Sequence, residues 1–213
     1  MSAIEDRGFG LLVDLDRCTG CGACRTACAL ENNVPPSAGA EGEWLAVERL
    51  ESVGKGEQLD VLFVPRPCMH CDAPPCVAAC PTGATCKDPA WGVVSQVYAR
   101  CIGCRLCMSA CPYGARRFNA ADPVWPGGME RAFTPWASSR PRFVVEKCTL
   151  CAHRIGAQGL LTACAEACPT GAIRSGVPGE LLEGREAFVL RPGTGASPRV
   201  WYVSRRDWAR DAG

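Results

Sequence analysis

Cysteine is the residue through which this chain could do chemistry: it has seventeen in 213 residues, and sixteen fall into four groups of four. Cys18, Cys21, Cys24 and Cys28 read CxxCxxCxxxC, and Cys68, Cys71, Cys76 and Cys80 read CxxCxxxxCxxxCP, closed by Pro81. Cys101, Cys104, Cys107 and Cys111 read CxxCxxCxxxCP and end at Pro112. In the last group twelve residues separate the CxxC of Cys148 and Cys151 from Cys164 and Cys168, which Pro169 follows. The remaining thiol is Cys86. Iron-sulfur chemistry wants this pattern. A cubane needs four thiolates converging from different directions, and a CxxCxxC loop wraps three of them around one cluster while its amides can point at the sulfurs. The fourth cysteine, three residues on and expected near the start of a helix, faces away from that loop. In the two-cluster bacterial pattern it ligates the other cluster, and the proline turns the chain out of the motif. Each motif therefore needs a sister motif. Four motifs make two pairs and four [4Fe-4S] clusters, whose sixteen positions leave none open to substrate.

Two other uses of cysteine are weaker. Paired CxxC motifs also build tetrahedral zinc sites, but zinc knuckles rarely place four cysteines inside eleven residues, and one zinc would strand a thiol. A disulfide scaffold is opposed by the odd count and by the chain length. Residues 1–12 also lack the basic and apolar regions of a signal peptide. With 47% hydrophobic and 21% charged residues the chain is globular, and no apolar run approaches membrane-spanning length. The formal charge of +1 points to neither nucleic acid nor an acidic membrane surface. Four bound clusters would each add about −2 and bring the loaded protein to roughly −7. Arginines near the clusters would be a local counterweight.

The elements that must hold these loops are short. Apolar runs predict strands at Gly10 to Asp14, Trp44 to Leu50, Leu59 to Val64, Val93 to Val97, Phe143 to Val145, Phe188 to Leu190 and Val200 to Val203. A helix is expected from Gly22 to Glu31, and shorter ones near Cys76 to Cys80, Cys107 to Cys111 and Cys164 to Cys168. Gly83, Gly114 and Gly171, each three residues past a motif, suit the turn into the next strand. The fold class is α+β and loop-rich, with clusters replacing much of an ordinary core, so folding should depend on cluster insertion. The segment Asn119 to Arg142 has no periodicity; its Trp125, Phe133 and Trp136 either dock a partner or fold back on their own domain. The tail after Gly176, with Trp201, Tyr202, Trp208, Arg205, Arg206 and Arg210, either wraps a partner or completes a sheet.

The stretches RCTGCGACRTAC (Arg17 to Cys28), CMHCDAPPCVAACPTGA (Cys68 to Ala84), CIGCRLCMSACPYGARRFN (Cys101 to Asn119), EKCTLCAHR (Glu146 to Arg154) and CAEACPTGAI (Cys164 to Ile173) resemble a known family. It is that of the four-cluster electron-transfer subunits of the complex iron-sulfur molybdoenzymes. Relatives there serve dimethyl sulfoxide, polysulfide, thiosulfate and tetrathionate reductases and sulfite dehydrogenase. The segment between the third and fourth motifs looks most like the sulfite-oxidising and tetrathionate-type branch. The resemblance implies ligand exchange: Cys18, Cys21 and Cys24 with Cys168; Cys148, Cys151 and Cys164 with Cys28; Cys68, Cys71 and Cys76 with Cys111; and Cys101, Cys104 and Cys107 with Cys80. One ferredoxin-like dicluster module (61–118) would thus be inserted in another (1–60 with 140–213), with 119–139 an extended loop for partner docking. The resemblance further implies that the first-motif cluster faces a molybdenum or tungsten pterin catalytic subunit and the third-motif cluster an integral membrane, quinone-interacting subunit. Some relatives replace the second cysteine of the third motif and carry a [3Fe-4S] centre; Cys104 is present here, so four [4Fe-4S] clusters are expected.

Arg105, inside the third loop, is the cation expected to tune a cluster; Arg25, Arg100, Arg116, Arg117, Lys147, His153 and Arg154 lie near motifs but are expected to be solvated charges. His70 and His153 are not expected to be ligands, and Cys86 should be a small buried filler. An electron-transfer subunit with no catalysis of its own is the leading function. A free-standing soluble polyferredoxin is the alternative, and an enzyme is disfavoured because no nucleotide-binding or nucleophile motif appears. Membrane association through a partner is expected, on the cytoplasmic face by preference, or in the periplasm if a partner carries the folded chain across.

Overall fold

The computed structural model describes residues 8–36, 42–53, 58–137, 140–158 and 161–211, without the side chains of residues 130, 131 and 156–158. Residues 1–7 and residues 138–139 of the long loop, on which expectations fell, lie outside it. Strand β1 (Gly10–Asp14) is the centre of a three-stranded sheet, antiparallel to β8 (Ile173–Gly176) and parallel to β9 (Val200–Val203). A central position buries both of its faces, which is why the run GLLVD is continuously apolar instead of alternating. Leu11, Leu12 and Val13 are each at most 2% exposed, worth about 1.5–3 kcal/mol per side chain. Gly10 is there for closeness: a Cβ would meet the Arg199 carbonyl oxygen and the Trp201 ring at 2.5 Å.

The other strands form two-stranded antiparallel pairs: β2 (Ala46–Val53) with β3 (Leu59–Arg66), β4 (Thr85–Lys87) with β5 (Val94–Gln96), and β6 (Arg117–Asn119) with β7 (Val144–Glu146). Helix α1 (Ala23–Glu31) packs against the single turn α5 (Ala163–Glu166), and the single turns α2 (Pro75–Ala78) and α3 (Leu106–Ser109) pack together. Helices α4 (Ala152–Gln158) and α6 (Pro178–Leu182) flank α5 in the chain. The main apolar core mixes ordinary side chains such as Leu62, Val64, Met69 and Tyr202 with Cys24, Cys28, Cys68, Cys71, Cys148 and Cys164. A second, smaller core joins Cys76 and Cys107 to Val94 and Val145.

Several expected elements shift. The strand expected from Trp44 starts at Ala46, because Trp44 and Leu45 turn into the core. The strand expected from Phe143 starts at Val144, since Phe143 has φ 62° and is exposed. Phe188 to Leu190 forms only an isolated bridge, Phe188 to Tyr202. Helices α4 and α6 were not foreseen, but a strand does follow each motif-ending glycine: Gly83, Gly114 and Gly171 have φ of 64°, 58° and 61° and lead to β4, β6 and β8. The long loop folds back in part. Asn33 exchanges hydrogen bonds with the Thr134 backbone at 3.0 and 3.1 Å, and Phe133 packs edge-on against Trp125, while Trp136 stays 59% exposed. The tail completes the sheet through β9, with the Tyr202 hydroxyl donating to the Pro65 carbonyl at 2.9 Å.

Candidate iron-sulfur centres

The first and third motifs make the same loop. Gly20 and Gly103 both have φ 69°, and the helices behind them are capped in the left-handed region by Gly22 (φ 77°) and Arg105 (φ 63°). This throws Cys24 and Cys107 inward and leaves Cys21 and Cys104 exposed. The third cysteine of every motif is buried and helical: Cys24 in α1, Cys76 in α2, Cys107 in α3, Cys164 in α5. The fourth differs from expectation. Cys80, Cys111 and Cys168 lie just past the last helical turn, because the following proline disfavours helical backbone at the residue before it. Cys28, with no proline after it, stays within α1.

The thiols that feel one another fall into sets. Cys18 faces Cys21 and Cys168, and Cys24 faces Cys18, Cys164 and Cys168. Cys28 faces Cys148, Cys151 and Cys164. Cys71 faces Cys68, Cys76 and Cys111. Cys80 and Cys107 both reach Thr85: its amide donates to Cys80 Sγ at 3.4 Å, and its side chain bonds Cys107. The sets also touch in series, Cys24 facing Cys164 and Cys148 facing Cys68. All of these thiols are free.

Burial, reinforced by neighbouring sulfurs, pushes the Cys24, Cys71 and Cys151 thiols up to about 12, and Cys28 and Cys148 are likewise raised by burial and crowding. Such sets ionise readily only around a positive core. The fourth cysteines of two motifs behave oppositely. Burial raises Cys80, but the Thr85 amide and the hydroxyl and amide of Thr82 outweigh it and hold the thiol at about 7. In the second CPTGA turn, burial of Cys168 is outweighed by the amides of Ile173, Ala172 and Thr170 and the Thr170 hydroxyl. The Ala172 amide lies 3.2 Å from Cys168 Sγ, and the Leu150 amide 3.3 Å from Cys148 Sγ. Among the described residues no three His, Cys, Asp or Glu side chains are arranged to hold a single metal ion. What fits is decided by the donor set, and crowded sulfur donors with amides aimed at them suit an iron-sulfur core.

The charged residues are not where sequence proximity put them. Arg105 is exposed and stacked over Phe118 at 4.4 Å, whereas Arg116 and Lys147 are each 2% exposed. Arg25 pairs with Glu43, and Arg154 bridges Glu31 and Glu166. Arg117 is tied to the Gly114 carbonyl, and Arg100 is exposed. His70 Nδ1 accepts the Val94 amide at 3.1 Å, and burial first, then Lys147 and Arg116, keep the ring well below the ordinary histidine value. His153 is bonded to Glu31 at 2.6 Å. Cys86 is half-buried in β4, not the core filler expected, because it sits on an edge pairing with Ser95. Asn32 escaped notice in the sequence: buried, it donates to the Cys28 carbonyl at 2.8 Å and lies 3.7 Å from its sulfur.

A model described as a 4Fe-4S dicluster domain matches residues 59–126, and a second of the same description matches residues 17–84 and 100–175. The iron-sulfur cluster-binding subunit of menaquinone reductase from Nitratidesulfovibrio vulgaris is 45% identical over 96% of this chain and 92% of its own length. The iron-sulfur subunit of arsenate respiratory reductase from a Shewanella species is 34% identical over 92% of this chain and 95% of its own. A tetrathionate reductase subunit from Salmonella typhimurium is 36% identical over 93% of this chain and 73% of its own. With both dicluster models matched and relatives this similar over most of their length, the chain belongs to the 4Fe-4S dicluster proteins, among the iron-sulfur subunits of the molybdoenzyme complexes.

Proposed function

We propose that this chain is the electron-transfer subunit of a respiratory oxidoreductase complex and carries four [4Fe-4S] clusters on the ligand sets that the family resemblance implies. The observation that carries the reading is the series of sulfur sets, whose two end loops expose Cys21 and Cys104 while the middle is buried. Bound there, each cluster supplies a one-electron couple. The chain's own residues hold the sulfurs, aim amides at them and exclude water. They perform no substrate conversion, because every grouped thiol is spent on ligation.

The packing of α1 on α5 and of α2 on α3 supports one dicluster module (61–118) inserted in another (1–60 with 140–213). A pterin-bearing catalytic subunit at one end and a quinone-reactive membrane subunit at the other are the partners the family implies. The naming of a relative as a menaquinone reductase subunit supports the quinone side. Among the described residues no helix is long and apolar enough to cross a membrane, and association through that partner is what the family implies. The segment 119–139 offers Val124 (67% exposed) and Trp136 as its docking contacts. A free-standing polyferredoxin is not favoured, since relatives of similar length are named as subunits.

The test is iron and sulfide analysis of anaerobically prepared full chain. About sixteen of each per polypeptide is expected from four cubanes. Half that number, with no large partner on native purification, would overturn the proposal.

A further inference from the structure

Burying a charge costs several kcal/mol unless an opposite charge answers it. In this molecule most buried or cluster-adjacent arginines are answered by carboxylates: Arg140 by Glu146, Arg25 by Glu43, Arg154 by Glu31 and Glu166. Among the described residues two buried cations are not. Arg116 Nη1 donates to Thr85 Oγ1 at 3.2 Å and Gln96 Oε1 at 3.1 Å, both neutral. The ionisable groups its guanidinium faces are the thiols of Cys76, Cys107 and Cys68 and the buried His70 ring. Lys147 Nζ donates to the carbonyls of Val94 and of Cys148, the latter at 2.8 Å, beside the Cys148 thiol. Among the described residues neither cation meets an Asp or Glu.

The two cations converge on one place. Cys68 faces Arg116 on one side and Cys148, beside Lys147, on the other. A third cation, Lys87, donates to the Cys71 carbonyl at 3.1 Å, though Asp72 pairs with it at 2.6 Å. A cluster gains one negative charge when reduced, so an unanswered buried cation stabilises its reduced form more than its oxidised one. We propose that Arg116 and Lys147 are potential-setting residues, which make the cluster on Cys68, Cys71, Cys76 and Cys111 the first of the four to accept an electron. The inference rests on the ligand sets proposed above. It places the resting electron inside the series, away from both exposed ends.

The test is a dithionite titration of the cluster-loaded full chain, followed by electron paramagnetic resonance. In Arg116→Gln and in Lys147→Gln the first reduction equilibrium should weaken about tenfold, which is about 59 mV for one electron. The last-reduced signals should stay in place, and Arg116→Lys should restore most of the loss. An unmoved first midpoint in both glutamine variants, with iron content intact, overturns the inference. Should those variants fail to load, Cys71→Ser decides: it alters the first-reduced signal if the inference holds and a later one if it is wrong. An iron content far below four clusters in the unaltered chain would instead overturn the ligand sets beneath it, a result of a different kind.

Discussion

The two halves of the cysteine pattern repeat one spacing rule in opposite electrical surroundings. Around α1 and α5 the sulfurs are bordered by carboxylates, Glu31, Glu43 and Glu166, each holding an arginine. Around α2 and α3 lie the buried cations Arg116 and Lys147, which no carboxylate among the described residues answers. Ligand spacing determines where an iron-sulfur centre sits. Its surroundings determine how willingly it takes an electron, so repeated motifs need not give repeated potentials.

Removing one ligand from a buried set and one from an exposed loop should give the largest contrast. Cys28→Ala empties a core position that is 6% exposed, and we expect a chain that fails to accumulate as soluble brown protein. Cys104→Ala should lose about one cluster by iron analysis and keep its fold by circular dichroism; equal damage from the two would erase the distinction. Next in size, Glu31→Gln removes a carboxylate beside Cys151 and leaves Arg154 with Glu166 alone and His153 without its anion. That should raise the potential of one outer cluster by less than the tenfold, or about 59 mV, assigned to Arg116. A fall would reverse the sign of the argument.

A smaller effect concerns the carboxylates that pin the tail. Burial raises Asp16, but the Arg205 amide, the Ser204 hydroxyl and Arg206 outweigh it and set it below the usual carboxylate value; the Trp208 indole and Arg206 lower Asp60 likewise. A carboxyl depressed by folding contributes stability above its ordinary value and loses it only as the pH falls through the depressed one. The clamp is therefore charged at neutral pH. Asp60→Asn should leave the clusters' spectrum unchanged yet speed tryptic cleavage after Arg205 and Arg206; unchanged cleavage would mean the clamp holds nothing. Smallest of all, Arg105→Glu should shift one midpoint by only a small fraction of the Arg116 effect, because its charge is solvent-exposed over Phe118. A shift as large as that of Arg116→Gln would collapse the comparison.

How much was legible follows from what each signal encodes. Cysteine spacing fixes backbone reach, so the four groups could be read directly, as could the turns at Gly83, Gly114 and Gly171. Burial is not a property of sequence neighbours. Arg116 and Arg117 are adjacent, yet one lies beneath the thiols and the other reaches the Gly114 carbonyl at the start of β6. Arg105 looked central because it sits between two ligands, but its left-handed cap turns it onto Phe118. The low-lying thiols of Cys80 and Cys168 had a signal that went unused, the repeated CPTGA, whose threonines and following amides both point at sulfur.

The parallel pairing of β1 with β9 ties the earliest described strand to the latest. On the ribosome, the loop of Cys18 to Cys24 emerges first but has no sheet to stand in until residues 173–203 have been synthesised. The 61–118 segment meets all its β4–β5 and α2–α3 contacts well before then. Under the proposed ligand sets topology therefore orders maturation: the inserted segment, with one inner and one end centre, can be completed on a nascent chain, while both centres of the outer module wait for later residues. Loss of β8 and β9 would, on those sets, cost the outer module's centres and spare the inserted pair.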